Sequence, residues 1–264
     1  LVRQGQEALE IFVEWDEQRA NHPPHRRKAG LRHSGQDWKG RLDGEDVAQL
    51  GNLCAALAVV TFEPGSHALI SGISEHRRRF TDWALFHVEP SFIETWRRYQ
   101  RALKQRNALL KQQVDATSLA TWEHELAQHG ATLHRMREQW LEEFKPQLAE
   151  VMTKFLPELG ELQLVYQSGW AGDGGIESLK EALQASRPRD LVLGYSTTGP
   201  HRADWTLGFA ELPVREMFSR GQEKLVVLAC LLAQAKTFAH SRGQWPVLLL
   251  DDLPSELDAR HLGV

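Results

Sequence analysis

The sequence predicts an α/β fold interrupted by a helical insertion, on three observations. Strand-like patterns stand near the start, past the middle and at the end of the 264 residues. Between them lie two long stretches with apolar residues at helical spacing. The chain then closes with a helix over 221–239 followed by the strand PVLLLDD, and helix-then-strand order belongs to α/β cores.

Each element follows in order. Residues 7–16, EALEIFVEWD, alternate, which sets Leu9, Ile11, Val13 and Trp15 on one face of a strand. The polar stretch 17–46 contains NHPPHRRKAG and RHSGQDWKG and reads as a hairpin or loop region with weak strand content. ALAVVTF (56–62) is a short buried strand closed by Glu63-Pro64-Gly65. Ser74 suits an N-cap for SEHRRRFTDWALFHV, which ends before Pro90.

From Pro90 a helix runs to about 113, with Phe92, Trp96, Tyr99, Leu103 and Leu110 near helical spacing. A second runs from Ser118 to about Phe155, carrying Leu119, Trp122, Leu126, Leu133, Met136, Trp140 and Phe144. Gly130 and Pro146 are expected irregularities in it. Joined by the short VDATS turn, the two form an antiparallel hairpin. ELQLVYQSGW (161–170) reads as a strand and 176–186 as a short helix. Residues 190–209 read as a hairpin turning at Gly199-Pro200.

Composition narrows the function classes. Net charge is −4, so nucleic-acid contact requires local patches rather than global charge. The two cysteines, Cys54 and Cys230, have apolar neighbours and read as small core residues in a reducing, cytoplasmic setting. Apolar runs such as LVVLACLLA (225–233) are too short to span a bilayer. Twelve histidines form no HExxH or paired Cys/His spacing. His22, His25 and His33 read as loop residues, and His124, His129 and His134 as residues of the second hairpin helix.

Two stretches carry chemistry. VLLLDD suits a buried parallel strand with carboxylates emerging at its C-terminal edge, where open α/β sheets bind ligands. Asp251 there could hold Mg²⁺ on nucleotide phosphates, and Asp252 could orient or deprotonate a water. Taken alone, the pair equally suits a solvated acidic turn. In FSRGQEKLVVLACLLAQA (218–235), Ser219 takes an N-cap position and Gly221 allows close backbone approach at the helix N-terminus, a good phosphate site. Alone, it is an ordinary capped helix.

In this order and spacing, SRGQEK, about twenty residues of helix and VLLLDDLPSELD resemble the signature motif, Walker B and D-loop of ABC-type ATPases. GPHRAD (199–204), HRRRFTDW (76–83) and HVEPSFIETWRRYQRALKQRNALL (87–110) are similar to the RecF branch of the SMC-like DNA-repair ATPases. The resemblance implies an ABC-type head with a P-loop NTPase-like sheet and an inserted helical-hairpin lobe. Residues 1–73 and 159–264 would form its core and 74–158 the lobe. It implies ATP and Mg²⁺ as cofactors, with Asp251 as the metal-associated acid and Asp252 as the catalytic carboxylate. Ser219, Arg220, Gly221 and Gln222 would meet ATP held by an opposite subunit, and Ser255 and Asp258 would form the D-loop.

Arg220 replaces the first signature glycine, and Asp252 the usual glutamate. The shorter side chain positions water differently, so slow hydrolysis is expected. No G-x-x-x-x-G-K-[ST] occurs in the sequence; the family carries that loop upstream of the strand that opens this chain, and a switch residue beyond Val264. The expected function is an ATP-dependent homodimeric clamp on single-stranded or gapped DNA, acting with RecO- and RecR-type mediators to load recombinase. The alternatives are a partner-binding module with vestigial nucleotide motifs, or another ABC or SMC-type head.

Residues 74–113 hold nine Lys/Arg against four acids. Of these, Arg77, Arg78, Arg79, Arg97, Arg98, Lys104 and Arg106 are the candidate DNA contacts, interleaved with Trp96 and Tyr99. A solvated helix face is the other meaning of such a run.

Overall fold

The computed structural model describes residues 5–17, 23–35, 37–210 and 218–251, in two compact units. One comprises 1–61 with 238–249, the other 62–237 with 250–264.

The first unit contains a four-stranded antiparallel sheet in sequential order: β1 (Leu9–Glu17), β2 (His25–His33), β3 (Trp38–Leu42) and β4 (Glu45–Val47). The stretch expected to hold only weak strands is therefore mostly sheet. Its cross-strand pairs are largely charged, which hides it from an apolar alternation test. Glu10 faces Arg32, Glu14 faces Lys28 and Asp16 faces Arg26, with exposed ion pairs at 3.5, 3.7 and 3.3 Å. His25 and His33 accordingly end a strand rather than sit in a loop. Asp43 (φ 52°) and Gly44 (φ 91°) form the two-residue turn between β3 and β4, whose paired positive φ values suit a strand twist.

Helix α1 (Leu50–Ala56) packs on β3 and β4, and Leu53 lies against Gly40, where a Cβ would stand 2.8 Å from its Cδ1. Cys54 in this helix is exposed, not a core residue: no residue of this short helix is buried, and Leu53 is the one that turns to the sheet. The apolar face of β1 also stays open, with Ile11 and Val13 47% and 37% exposed.

Strand β5 (Val59–Phe62) pairs with β8 (Val247–Leu250). Val247 N–H donates to Ala58 O and Asp251 N–H to Phe62 O, both at 2.9 Å. Both partners advance four residues between the two bonds, so the pair is parallel, as expected. The expected burial of β8 is not seen: Leu249 and Leu250 are 51% and 46% exposed, because among the described residues only β5 flanks it.

In the second unit, a short helix α2 (Ala68–Ser71) precedes α3 (Ser74–Val88), then α4 (Phe92–Lys111) and α5 (Ala116–Phe155) form the antiparallel hairpin. Ile73 takes the N-cap position of α3; Ser74 is its first helical residue, and its hydroxyl accepts from Arg78 at 2.7 Å. Asp115 caps α5 by accepting from Ser118 N–H at 2.8 Å. Neither Gly130 nor Pro146 breaks this 40-residue helix. Gly130 serves close approach instead: a Cβ there would stand 2.6 Å from Leu179, 3.2 Å from Pro200 and 3.3 Å from Tyr99. Leu179 and Tyr99 are buried and cannot swing clear. Gly130→Ala is therefore expected to destabilise the protein by about 1–3 kcal/mol, despite the roughly 1 kcal/mol that alanine adds to helix propensity, as read by urea unfolding.

Strand β6 (Leu162–Gln167) pairs antiparallel with β7 (Asp204–Phe209), and α6 (Ile176–Leu193) lies between them in sequence. This replaces the expected 190–209 hairpin: α6 continues to Leu193, and Gly199-Pro200 opens a 3₁₀ turn over Pro200–Arg202. The core gathers Phe80, Trp140, Phe144 and Trp205, with Phe80 5.5–5.9 Å from the other three ring centroids. Trp205 Nε1 donates to Arg77 O and Thr81 Oγ1, both at 3.1 Å, tying α3 to β7. Helix α7 (Arg220–Arg242) contributes buried Leu225 to Cys230. Cys230 is fully buried, as expected.

Candidate phosphate-binding site

The first turn of α7 is closed by a reciprocal cap. Gln222 N–H donates to Ser219 Oγ at 3.3 Å, and Ser219 N–H donates to Gln222 Oε1 at 3.1 Å, the S-x-x-Q capping box. Ser219, Arg220 and Gly221 are all exposed. The Arg220 and Gly221 amides belong to the helical turn that lacks internal acceptors. A Cβ on Gly221 would meet nothing within 4 Å, so space stands open above the helix end. Open amides at the positive end of the helix dipole, beside a hydroxyl and a guanidinium, suit a phosphate.

A cavity of about 310 Å³ adjoins this turn, lined by Phe62, Glu63, Pro64, His67, Arg220, Glu223 and Lys224. Arg220 and Lys224 share one helix face at i, i+4. One carboxylate oxygen of Glu223 is buried there without a hydrogen-bond partner. Neither Ser219 nor Asp251 lines the cavity: Ser219 precedes its Arg220, and Asp251 N–H donates to the backbone oxygen of its Phe62. Glu63 and His67 were not foreseen, since their only local signal was a Glu-Pro-Gly strand ending, and Lys224 stood without a role inside SRGQEK. Asp252, Ser255 and Asp258 lie outside the described residues. Among the described residues, no group of three or more His, Cys, Asp or Glu side chains is placed to hold a metal ion, and no helix is long and apolar enough to cross a membrane.

The candidate DNA contacts divide by burial. Arg106 is 0% exposed and donates to Glu123, Asp190, Ser196 and Leu183 O. Its guanidinium is committed to the core, so it leaves the list of surface candidates. Arg77 is mostly buried, bidentate to Asp204 at 2.6 and 3.0 Å, and also donates to Leu69, Ile70 and Gly72 carbonyls. Arg78 is half-buried, donating to Ala203 O at 2.7 Å, and burial, then Arg137, pulls its guanidinium below the usual range. Arg79 and Arg98 are exposed and pair with Glu75 and Glu94 one turn away. Arg97 and Lys104 are exposed.

Tyr99 packs in the core, and its hydroxyl meets His201 Nδ1 at 2.7 Å while His201 Nε2 meets Ser196 O at 2.9 Å. These partners suit a neutral imidazole with the proton on Nε2. Burial pulls His201 down to about 4, helped by Arg202 and Arg78. The folded pKa is depressed below the unfolded value near 6.5, so the stability from neutral His201 is complete above about pH 6.5 and is lost as pH falls toward 4. The loss approaches about 3 kcal/mol at full protonation. Burial shifts His134 in the same direction. Urea midpoints are expected to fall between about pH 7 and about pH 5, and to fall less in His201→Asn.

No family model matches the chain. It is 63% identical over 261 residues to the DNA replication and repair protein RecF of Stenotrophomonas maltophilia, covering 99% of this chain and 71% of that protein. It is 57% identical over 263 residues to the RecF of Xanthomonas euvesicatoria pv. vesicatoria, covering 100% and 71%. It is 39% identical over 234 residues to that of Thioalkalivibrio sulfidiphilus, covering 89% and 64%. Among solved structures, the recombination mediator protein RecF-ATP of the RecFOR pathway superposes with a TM-score of 0.87 at 24% identity, over 99% of this chain and 72% of that one. That likeness fixes the α/β fold of an ABC-type ATPase head. With its identity to these proteins running along nearly its whole length, the chain belongs to the RecF family of DNA replication and repair proteins.

Proposed function

We propose that this member of a DNA repair family works as an ATP-gated clamp: two copies close over ATP, hold single-stranded or gapped DNA, and release it after hydrolysis. The observation that carries this is the exposed, capped start of α7. Ser219, Arg220 and Gly221 are exposed to solvent, as residues serving a nucleotide held by a second copy would be. Ser219 and Gln222 would bind the terminal phosphate, and Arg220 would balance its charge.

Asp251, at the end of β8, would take the Mg²⁺ that neutralises the phosphates; one carboxylate with water and phosphate oxygens is an ordinary Mg²⁺ set. Asp252 would orient and deprotonate the attacking water, and Ser255 and Asp258 would meet the opposite copy. DNA would engage the exposed cations of the 74–113 stripe, Arg79, Arg97, Arg98 and Lys104. The structural relative is a recombination mediator protein of the RecFOR pathway, and RecO- and RecR-type proteins are the partners that fit such a pathway.

In the full-length protein, Ser219→Arg is expected to leave DNA retention insensitive to ATP, where the unaltered protein retains gapped DNA more tightly with ATP–Mg²⁺. Filter binding with and without ATP checks this. Equal ATP enhancement in the variant would remove the assigned role of Ser219. Ser219→Ala is expected to lower stability by about 1 kcal/mol through the lost cap alone.

A further inference from the structure

Two segments distant in sequence form an exposed surface almost without carboxylates. Residues 95–114 contain no Asp or Glu, and residues 182–203 contain only Asp190, which is fully buried. Internal bonds bring the segments together: Arg106 binds Asp190 at 2.7 Å, Asn107 Oδ1 accepts from Ser196 N–H and Oγ at 2.8 Å, and Gln113 Nε2 donates to Leu191 O at 2.7 Å. Lys104 and Lys111 flank Asn107 at i−3 and i+4 on the same face of α4. A Cβ on Gly194 would stand 3.2 Å from Lys111 Cγ, which puts that lysine beside the next residue, Tyr195.

Tyr195 is 42% exposed, and the guanidinium of exposed Arg202 lies 5.4 Å from its ring centroid. Lys104, Lys111 and Arg189 are exposed, and none makes an ion pair among the described residues. Arg202, whose Nη2 also donates to Ser196 O at 3.1 Å, and Lys111 stand beside an exposed aromatic, with Lys104 along the same face of α4; this set matches a flexible polyanion that also offers flat rings. A duplex offers the charge but keeps its bases stacked away from the ring. An acidic peptide offers the charge with no ring required.

We propose that Tyr195 is a stacking platform for an unpaired base of single-stranded nucleic acid, with Lys104, Lys111 and Arg202 holding the adjacent phosphates. This deepens the DNA-clamp reading above, on which it rests, by assigning single-strand recognition to one surface.

The test is fluorescence anisotropy of the full-length protein with a labelled single-stranded oligonucleotide and with a duplex of the same sequence. Tyr195→Ala is expected to weaken single-strand binding about tenfold and duplex binding less than twofold, while Tyr195→Phe binds like the unaltered protein. Lys104→Gln/Lys111→Gln should lower the salt slope for the single strand by roughly 1.4, at about 0.7 per phosphate contact. Thermal melts establish that each variant is folded; Tyr195 and both lysines are surface residues. Unaltered single-strand affinity and slope in folded variants would overturn this surface while leaving the clamp standing. Equal losses on both DNAs would overturn the stacking role. Loss of poly-glutamate binding with single-strand binding intact would assign the surface to an acidic peptide. An unaltered protein that binds neither DNA would overturn the clamp and this surface together.

Discussion

Arg106→Ala is expected to destabilise the protein by about 3–5 kcal/mol, the largest stability loss of any single truncation considered. Arg106, Glu123 and Asp190 have side chains 0%, 1% and 0% exposed. Arg106 Nη1 reaches Asp190 Oδ2 at 2.7 Å and Ser196 Oγ at 2.8 Å, while Nη2 reaches Glu123 Oε1 and Leu183 O, both at 3.1 Å. Glu123 would keep Arg187, which donates from Nε at 2.9 Å. Asp190 would keep only neutral donors: Ser186 Oγ, Thr197 N–H and Thr197 Oγ1. A buried carboxylate without its cation is the main source of the loss.

Urea unfolding measures it, and a fall in melting temperature of about 10 °C should accompany it. Adding Asp190→Asn to Arg106→Ala should recover part of the loss by removing the stranded charge. A loss below about 1 kcal/mol would mean that the network is not holding α4, α5 and α6 together.

Asp252→Asn carries the largest functional effect. The amide cannot take a proton from water, so hydrolysis in the full-length protein is expected to fall by about 100-fold or more, within the range ascribed to general-base catalysis. ATP affinity should hold within a few-fold, since Asp251 and the Ser219 turn are untouched. Single-turnover assays with labelled ATP separate the two effects. Hydrolysis at the unaltered rate would take the base assignment away from Asp252.

What was legible in the sequence follows from where its information is local. Helices α3, α4, α5 and α7 were visible because their apolar positions recur over many residues, and strand β8 because a short unbroken apolar run ends at an acid pair. The cap at Ser219 was visible because S-x-x-Q states its two bonds within four residues. The sheet β1–β4 was only partly visible, because Glu14–Lys28 and Asp16–Arg26 pairing carries no apolar alternation. The partner of β7 was missed for a different reason: β6 is separated from it by all of α6.

Arg106 was misplaced because a lone arginine in a basic run looks solvated. Its carboxylates lie 17 and 84 residues away, a separation no local pattern reports. Likewise, the Ser219 cap was legible within its own motif, whereas the Glu63 and His67 walls of the cavity needed the fold to bring residues 62–67 to the start of α7.

The central claim is that the exposed start of α7 meets ATP on a second copy. The molar mass of the full-length protein by light scattering, with and without ATP–Mg²⁺, tests it most directly. Asp252→Asn should be a monomer without ATP and a persistent dimer with it, and adding Ser219→Arg should return it to monomer. A mass that ignores ATP, or an ATP-induced dimer that forms equally well with Ser219→Arg, would contradict the account.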